Sequence, residues 1–451
     1  MLSKEENELL TRVGPGTPMG NLFRRFWLPA MISSEVPEPD CSPVRLRLLG
    51  EDLIGFRATD GSVGIMDPYC PHKLAHLFWG RNEEQGLRCV YHGWKYDTNG
   101  NCVDMPNEPA ASNFKEKVKL NAYPTREAGG VIWIYMGPKD KMPAELPQLE
   151  WVRAPEGYQV VTKWLQRTNW AQGMGGEIDT SHISFLHGGR GPEWQPDYPG
   201  VNPTGGGGRR LPLDPKRAQA GRDGSPILTL RETPYGFTYG ARRDAGEGDY
   251  YWRVTRWLYP FYSLIAGFSS GFSNTSGRCW VPIDDEHTWT FGYQCRDDRP
   301  FTQEEADKVW EGRAFPPRVT RGRFTLPDDY VIDSWVPDAN KENDYLIDRD
   351  IQKYGNYTGI WGLNEQDRSI QESMKPIVDR SREHLGTADV AAIAARRLLI
   401  RMARNLQNGI EPECLRNVDA YRVRAIDIVA PIDDFDELLD VHNQEIGLAV
   451  L

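Results

Sequence analysis

CPHKLAHLFWGRNEEQGLRCVYHGWKYD, residues 70–97, holds two cysteines, and each has a histidine two or three places on: Cys70 with His72, and Cys89 with His92. Each pair sits where a strand pattern gives way to a turn, so two loops can converge on one metal centre. Two thiolates and two imidazoles admit a structural zinc site or a [2Fe–2S] cluster in which two histidines replace two cysteines on one iron. Zinc fingers usually place two cysteines before two histidines. Here the types interleave, which suits a cluster, because one cysteine and one histidine leave each loop for different irons. Gly93, Trp94 and Gly61 are expected to let backbone N–H groups approach the sulfides.

The sequence around this segment is strand-rich. VRLRLLGEDLIGFRA and GSVGIMDPYC alternate apolar and polar residues between turn signals. Asn99-Gly100 marks a hairpin, and GGVIWIYMGP, residues 129–138, reads as a closing strand. A proline-punctuated connector then sets a boundary, giving one domain over 1–145, with a short helix capped by Ser3 and Glu6 at its start, and a second over 146–451. The second domain mixes structures. QGMGGEIDTSHISFLHGG reads as a helix with a disturbed start, residues 227–296 carry several strand runs, and a helix after Gly386 repeats Val390, Ala394, Leu398, Met402 and Leu406 every fourth residue. The fold class expected is α+β: an N-terminal antiparallel-β domain, then a domain whose antiparallel sheet is surrounded by helices.

A chain of 451 residues with a formal charge of −11 lacks the basic stripe that nucleic acid requires. No apolar run is long enough to span a bilayer, and MLSKEENELLTRVG has no hydrophobic signal core. Seven cysteines, an odd number, fit a reducing compartment. A cytoplasmic protein is expected, without nucleic-acid or membrane partners.

A second constellation follows the first. Asp179-x-x-His182-x-x-x-x-His187 offers one carboxylate and two imidazoles, the donor set of a non-haem Fe(II) facial triad with positions left open for O2. On a helix Asp179 and His182 share a face. CPHKLAHL and CVYHGWKYD resemble the two halves of a Rieske motif, with Lys73 where the family often has arginine. The Asp179–His187 segment resembles the mononuclear iron site of Rieske oxygenases. GPGTPMGNLFRRFWLPA, WVPIDDEHTW and QESMKPIVDR extend the resemblance to the phthalate dioxygenase branch over most of the chain.

That resemblance implies that Cys70 and Cys89 bind one iron of the cluster and that His72 and His92 bind the other. It also implies that His182 and His187 hold a mononuclear Fe(II), while Asp179 bridges the cluster histidine His92 of a neighbouring subunit to His182. WGLNEQDRSIQESMKPIVDR resembles the segment that supplies the third ligand, which makes Asp367 that ligand, with Glu365 and Glu372 as poorer candidates. Gln371 and Met374 would share its helix face. Gly175 stands where many ring dioxygenases carry an amide side chain, and Asn169 is the substitute the sequence offers.

As implied by the family, the protein is the terminal oxygenase of a multi-component system. It uses O2 to dihydroxylate or O-demethylate a small aromatic compound in aromatic catabolism, works as a homotrimer or a hexamer of stacked trimers, and takes electrons from a separate NAD(P)H-dependent reductase of flavin/ferredoxin type. No dinucleotide-binding pattern occurs in the chain itself. A carboxylated substrate is expected in this branch, and Arg209-Arg210 and Arg242-Arg243 are the candidate carboxylate forks. Arg210, Arg242 and Arg243 are the preferred substrate residues, with Trp252, Trp257, Tyr259, Phe261 and Tyr262 as a ring wall or as core. The rival readings are a Rieske electron carrier without oxygenase activity and a zinc-stabilised module. Asp284, Asp285 and His287 are expected to stabilise a turn.

Overall fold

The computed structural model describes residues 1–109, 111–188, 223–265, 275–312 and 316–445. Helix α1, Lys4–Thr11, opens on the capping box that Ser3 and Glu6 foretell: the Ser3 hydroxyl accepts from the Glu6 N–H at 3.0 Å, and the Ser3 N–H donates to the Glu6 carboxylate at 3.2 Å. Three small antiparallel sheets follow. One pairs Trp27–Ile32 with Val131–Tyr135 and Thr125–Ala128, so the closing strand is central. The second runs Val44–Leu48, Glu51–Arg57, Val63–Met66, Ala122–Tyr123, and the third Arg81–Glu83, Gly86–Arg88, Lys95–Tyr96, Cys102–Asp104.

Turn chemistry decides two hairpins. At the tip between Val44–Leu48 and Glu51–Arg57, Leu49 and Gly50 both have positive φ, 50° and 77°, the twist-matched geometry of a two-residue hairpin. Leu49 is buried there, and the tip is held by hydrogen bonds: its N–H and that of Gly50 donate to the Pro282 and Ile283 carbonyls at 3.0 and 2.8 Å. At Asn99-Gly100 the Asp97 carboxylate accepts from the Asn99 and Asn101 N–H groups at 2.9 and 2.8 Å, fixing the expected Asn-Gly turn.

An eight-stranded antiparallel sheet dominates the rest of the fold. Its strands are β1 (Gln159–Gln166), β2 (Ile227–Thr233), β3 (Gly236–Gly246), β4 (Asp249–Leu258), β5 (Tyr262–Ile265), β6 (Thr275–Pro282), β7 (Thr288–Cys295) and β8 (Ile426–Ala430). The spatial order is β1-β7-β6-β5-β4-β3-β2, with β8 also paired to β4. The chain is therefore α+β, as expected, with helices packed around this sheet. Among them are α2 (Trp170–Glu177), α3 (Ile183–Leu186), α4 (Leu363–Ser373), α5 (Val390–Gln407) and α6 (Phe435–Glu445). Among the described residues no helix is long and apolar enough to cross a membrane.

Two sequence expectations shift. The QGMGGEIDTSHISFLHGG segment is disturbed at its middle: α2 ends at Glu177, and α3 begins at Ile183. Asp179 lies in the break, where its Oδ1 accepts from the Ser181 N–H and hydroxyl at 2.8 and 2.6 Å, a local bond that competes with helix continuation. The row of apolar residues on α5 also turns. At 3.6 residues per turn each step of four drifts by about 40°, so Leu398 is buried while Val390 and Leu406 at the ends are only partly so. The buried set is Ala391, Ala395, Arg396, Leu398, Leu399, Ile400 and Ala403.

One large apolar core runs through the three-stranded sheet and the eight-stranded sheet. Trp151 stacks between Trp133 (5.6 Å, 21°) and Tyr293 (5.0 Å, 23°), joining the two. A second, smaller core of Ile54, Phe56, Met66, Leu77, Leu87 and Tyr96 lies beneath the two Cys–His loops. Trp151→Ala is expected to cost about 3–5 kcal/mol, measured by denaturant unfolding. A loss under about 1 kcal/mol would show that the aromatic column does not couple the sheets.

Candidate metal centres

The two Cys–His loops are one turn built twice. The Cys70 N–H donates to the Ala75 carbonyl at 2.9 Å, and its own carbonyl accepts from Leu74 at 2.8 Å. The Cys89 N–H donates to the Trp94 carbonyl at 2.8 Å, and its carbonyl accepts from Gly93 at 2.9 Å. The fourth residue after each cysteine is left-handed: Leu74 at φ 58° and Gly93 at φ 81°. Glycine meets that demand without strain, whereas leucine costs about 1–2 kcal/mol. The paired turns bury both sulfurs, with Cys70 1 % and Cys89 4 % exposed. They also bring the His72 and His92 rings to 4.3 Å between centroids. Trp94 stacks flat on His72 at 4.5 Å and 8°, held by its indole N–H on Asn107. Gly61, expected nearby, instead closes the turn after Glu51–Arg57 by donating to the Ala58 carbonyl.

These donors fit an iron–sulfur cluster. Burial pushes the Cys70 thiol up, so ionising it calls for a cation beside the sulfur. Nδ1 of His72 and Nδ1 of His92 are both buried with no hydrogen-bond partner, which leaves a lone pair on each ring to serve a metal. The Tyr96 hydroxyl lies 3.2 Å from the Cys70 sulfur, one more polar group aimed at the centre.

The second constellation assembles from two distant segments. His182 is the last residue before α3, His187 the first after it, and Asp367 sits on α4. Nε2 of His182 and Nε2 of His187 are 3.2 Å apart, and the Asp367 Oδ1 lies 3.5 Å from the first and 3.2 Å from the second. Among the described residues this is the one group of three such donors close enough to hold an ion, all within 4.8 Å. Burial works against charge on His182, yet the Asp179 and Asp367 carboxylates, 3.6 and 3.5 Å away, outweigh it and raise its pKa to about 10. Burial would likewise raise Asp367, but the two imidazoles hold it far below the usual carboxylate range. Two imidazole nitrogens and a carboxylate oxygen within 4.8 Å of one another make a donor set that one divalent iron fits.

Neighbouring groups hold the donors. Asp179 Oδ2 lies 3.6 Å from Nδ1 of His182, through the turn rather than along a helix face. The Gln366 Oε1 meets Nδ1 of His187 at 2.6 Å. Arg278 pairs with Glu177 at 2.9 Å and comes within 4.0 Å of Asp367, both partners of the pair almost fully buried. Asn169 serves elsewhere, capping α2 through Ala171 and tying it to the Thr11 and Asp285 carbonyls. The amide at the site is Gln366, which sequence reasoning misses although it directly precedes Asp367. Glu372 turns away to the Tyr345 hydroxyl at 2.6 Å. Gln371 faces Gln166, and Met374 is exposed. Asp284 caps its own turn through the Glu286 and His287 N–H groups, as expected.

The arginine forks separate. Register pairs Arg243 with Tyr251 and Arg242 with Trp252, and adjacent residues on a strand point to opposite faces. Arg243 is buried toward the site, its guanidinium donating to the Thr180 and Asp223 carbonyls. Arg242 lies on the face covered by α6, donating to the Asp433 carbonyl, so the two do not form one fork. Arg209 and Arg210 lie outside the described residues. Trp252 stacks on Phe435 and Trp257 on Phe237, and Tyr259, Phe261 and Tyr262 belong to the main core. The cavity beside His182, about 720 Å³, is lined instead by Phe185, Leu186, Tyr345, Tyr357, Ile360 and Ile370, among others.

Residues 26–124 match the Rieske [2Fe-2S] domain, and residues 134–431 match the family described as LigXa C-terminal domain like. The chain is 39% identical to the 3-chlorobenzoate-3,4-dioxygenase oxygenase subunit of Comamonas testosteroni, over 93% of each protein. It is 40% identical to the phthalate 4,5-dioxygenase oxygenase subunit of Pseudomonas putida, over 91% of this chain and 88% of that one. The chain belongs to the Rieske non-haem iron oxygenases, in the phthalate dioxygenase-like branch. This oxygenase is also 35% identical to the 5,5'-dehydrodivanillate O-demethylase oxygenase subunit of Sphingobium sp. (strain NBRC 103272 / SYK-6), over 78% of each. Its fold matches the terminal oxygenase of carbazole 1,9a-dioxygenase from Novosphingobium sp. KA1, with a TM-score of 0.54, 22% identity, and coverage of 89% of this chain and 99% of that one.

The oxygenase is thus an enzyme, the oxygenase component of a multi-component system, with one Rieske [2Fe–2S] cluster and one mononuclear non-haem iron. The electron-carrier and zinc-module readings are set aside. Gly93→Ala tests the paired-turn geometry: the backbone is at φ 81°, and an added Cβ would stand 2.5 Å from the Pro106 ring. Cluster absorbance per chain is expected to fall severely, while Gly61→Ala, which meets nothing within 4 Å, should keep the cluster.

Proposed function

We propose that Cys70, Cys89, His72 and His92 hold the Rieske cluster, that His182, His187 and Asp367 hold the mononuclear iron, and that the substrate is a carboxylated aromatic compound. The convergence of those three iron donors within 4.8 Å carries the assignment. When bound, the cluster supplies electrons one at a time and the iron supplies a site for dioxygen. The protein's own part is placement. Asp179, within 3.6 Å of Nδ1 of His182 and 28 % exposed on its side chain, can accept from a second imidazole N–H arriving from outside.

The second imidazole would be His92 of a neighbouring subunit, in a homotrimer or a hexamer of stacked trimers. Exposed apolar side chains support that reading at both ends. Leu74, Val90 and Tyr91 project from the Cys–His loops, with Trp79 close by in sequence, and Phe185, Leu346, Tyr357 and Ile370 flank the cavity at His182. Uncovered apolar groups at two such places suit mutual burial. We further assign domains 1–145 and 146–451, a cytoplasmic location, and a separate NAD(P)H-dependent reductase of flavin/ferredoxin type as the electron source.

The relatives' names support an aromatic acid or an aryl ether as substrate, and Arg243 is a buried cation whose guanidinium reaches the Thr180 carbonyl, two residues before His182. Ring dihydroxylation and O-demethylation differ only in which substrate atom lies over the iron. Product analysis with isotopically labelled O2 on phthalates, methoxybenzoates and biaryl acids decides between them, and turnover of none of these acids would overturn the substrate class.

His187→Ala is expected to retain cluster absorbance and lose oxygenation, so full turnover in that variant would refute the ligand assignment. Asp179→Asn should keep both metals and slow turnover by about 10–100-fold, read by single-turnover kinetics against cluster oxidation. Arg243→Ala should raise KM for a carboxylate substrate about 10–100-fold, the worth of one charge-assisted hydrogen bond. An unchanged KM removes Arg243 from substrate binding.

A further inference from the structure

Gln366 has no exposed surface and occupies the position on α4 just before Asp367. Its amide orientation is not free. The Nε2 donates to the Ile360 carbonyl at 2.8 Å, so the Oε1 is the atom left to face His187, and it meets Nδ1 at 2.6 Å. An amide oxygen only accepts, hence Nδ1 of His187 carries the proton. The lone pair of that imidazole is then on Nε2, which points between His182 and Asp367 at 3.2 Å from each. Two successive residues of α4 therefore grip one ring, Gln366 at its Nδ1 edge and Asp367 at its Nε2 edge.

The two histidines are held unequally. His182 faces a carboxylate that is partly open to solvent and 3.6 Å away. His187 faces a neutral, fully buried amide at hydrogen-bond distance. A carboxylate in place of Gln366 would add a fourth acidic group to a pocket that already holds Glu177, Asp179 and Asp367 against one close arginine, Arg278. The amide orients the ring without that charge.

We propose that Gln366 is a positioning residue that fixes the tautomer and rotation of His187 through the Ile360 carbonyl–Gln366–His187 relay. His187 is thereby the rigid imidazole of the iron site, while His182 is the one free to adjust with Asp179. The inference rests on the assignment of His187 as an iron ligand given above.

The test uses the full-length protein with its cluster intact, reconstituted anaerobically with Fe(II). The Fe(II) affinity is measured by chelator competition, cluster absorbance counts folded chains, and the EPR signal of the nitric oxide complex reports ligand symmetry. Gln366→Leu and the more flexible Gln366→Met are both expected to weaken Fe(II) binding about 10–100-fold at unchanged cluster content and to alter the nitric oxide signal. Gln366→Glu, which keeps an acceptor for the His187 N–H, should recover most of the lost affinity. Wild-type affinity and signal in Gln366→Leu and Gln366→Met overturn the inference, as does a Gln366→Glu that binds no better than they do. His187→Ala separates the two levels. If it keeps its iron, the ligand assignment fails; if it loses iron while Gln366→Leu keeps it, only the relay fails.

Discussion

The meeting of two imidazoles and a carboxylate at 3.2–3.5 Å is the constraint around which the larger part of the chain is arranged. Three donors this close repel one another or strand a proton unless a cation lies among them, and a buried carboxylate without compensation is costly. The fold meets the cost in two ways. The pocket favours positive charge at His182, and Arg278 stands 4.0 Å behind Asp367 while itself neutralised by Glu177. Glu177, Asp179 and Asp367 face one close arginine, Arg278, and that local excess of negative charge suits a bound cation.

Getting those donors together requires α2, the break at Ile178–His182, α3 and α4 to dock on the sheet in one register. The break is a necessity. A continuous helix would hold Asp179 to the geometry of one face, whereas the turn lets its Oδ1 accept from Ser181 and leaves Oδ2 for His182. Docking of α2 is in turn fixed by Asn169, which reaches from its cap to the Thr11 and Asp285 carbonyls and so binds the N-terminal helix and the turn after β6 to the iron segment.

The cluster loops obey a different rule. Their geometry is local: a cysteine N–H and carbonyl closed by residues four and five places on, repeated at Cys70 and Cys89. Such turns need a small core under them and little else, and they stand on the separate core of Ile54, Phe56, Leu87 and Tyr96. The Cys–His loops thus rest on local turns and a small core of their own, while the His182–His187–Asp367 cluster depends on long-range packing of the sheet and helices.

How much is legible in the chain follows from the range of the interactions. Cys70, His72, Cys89 and His92 are readable as candidates because each Cys–His pair is local and the residue types are scarce. The same holds for the Ser3–Glu6 cap, the Asn99-Gly100 turn and the strand periodicity. Asp367 can be picked from the chain's many acids only by resemblance, and Gln366 escapes notice, because a glutamine beside an aspartate carries no periodic or motif signal. Its role exists only once α4 brings its amide oxygen to Nδ1 of His187. Arg242 and Arg243 look equivalent in the sequence, yet strand alternation sends one under α6 and the other toward Thr180. The sequence by itself determined the α+β class, and the two Cys–His pairs and the His182–His187 pair as candidate donors, since residue chemistry and short-range periodicity are written locally. Which amide and which arginine lie beside the His182–His187–Asp367 cluster was decided by tertiary structure alone, because a side chain's direction depends on strand register and helix docking over long stretches of chain, as the His187–Gln366 separation of 179 illustrates.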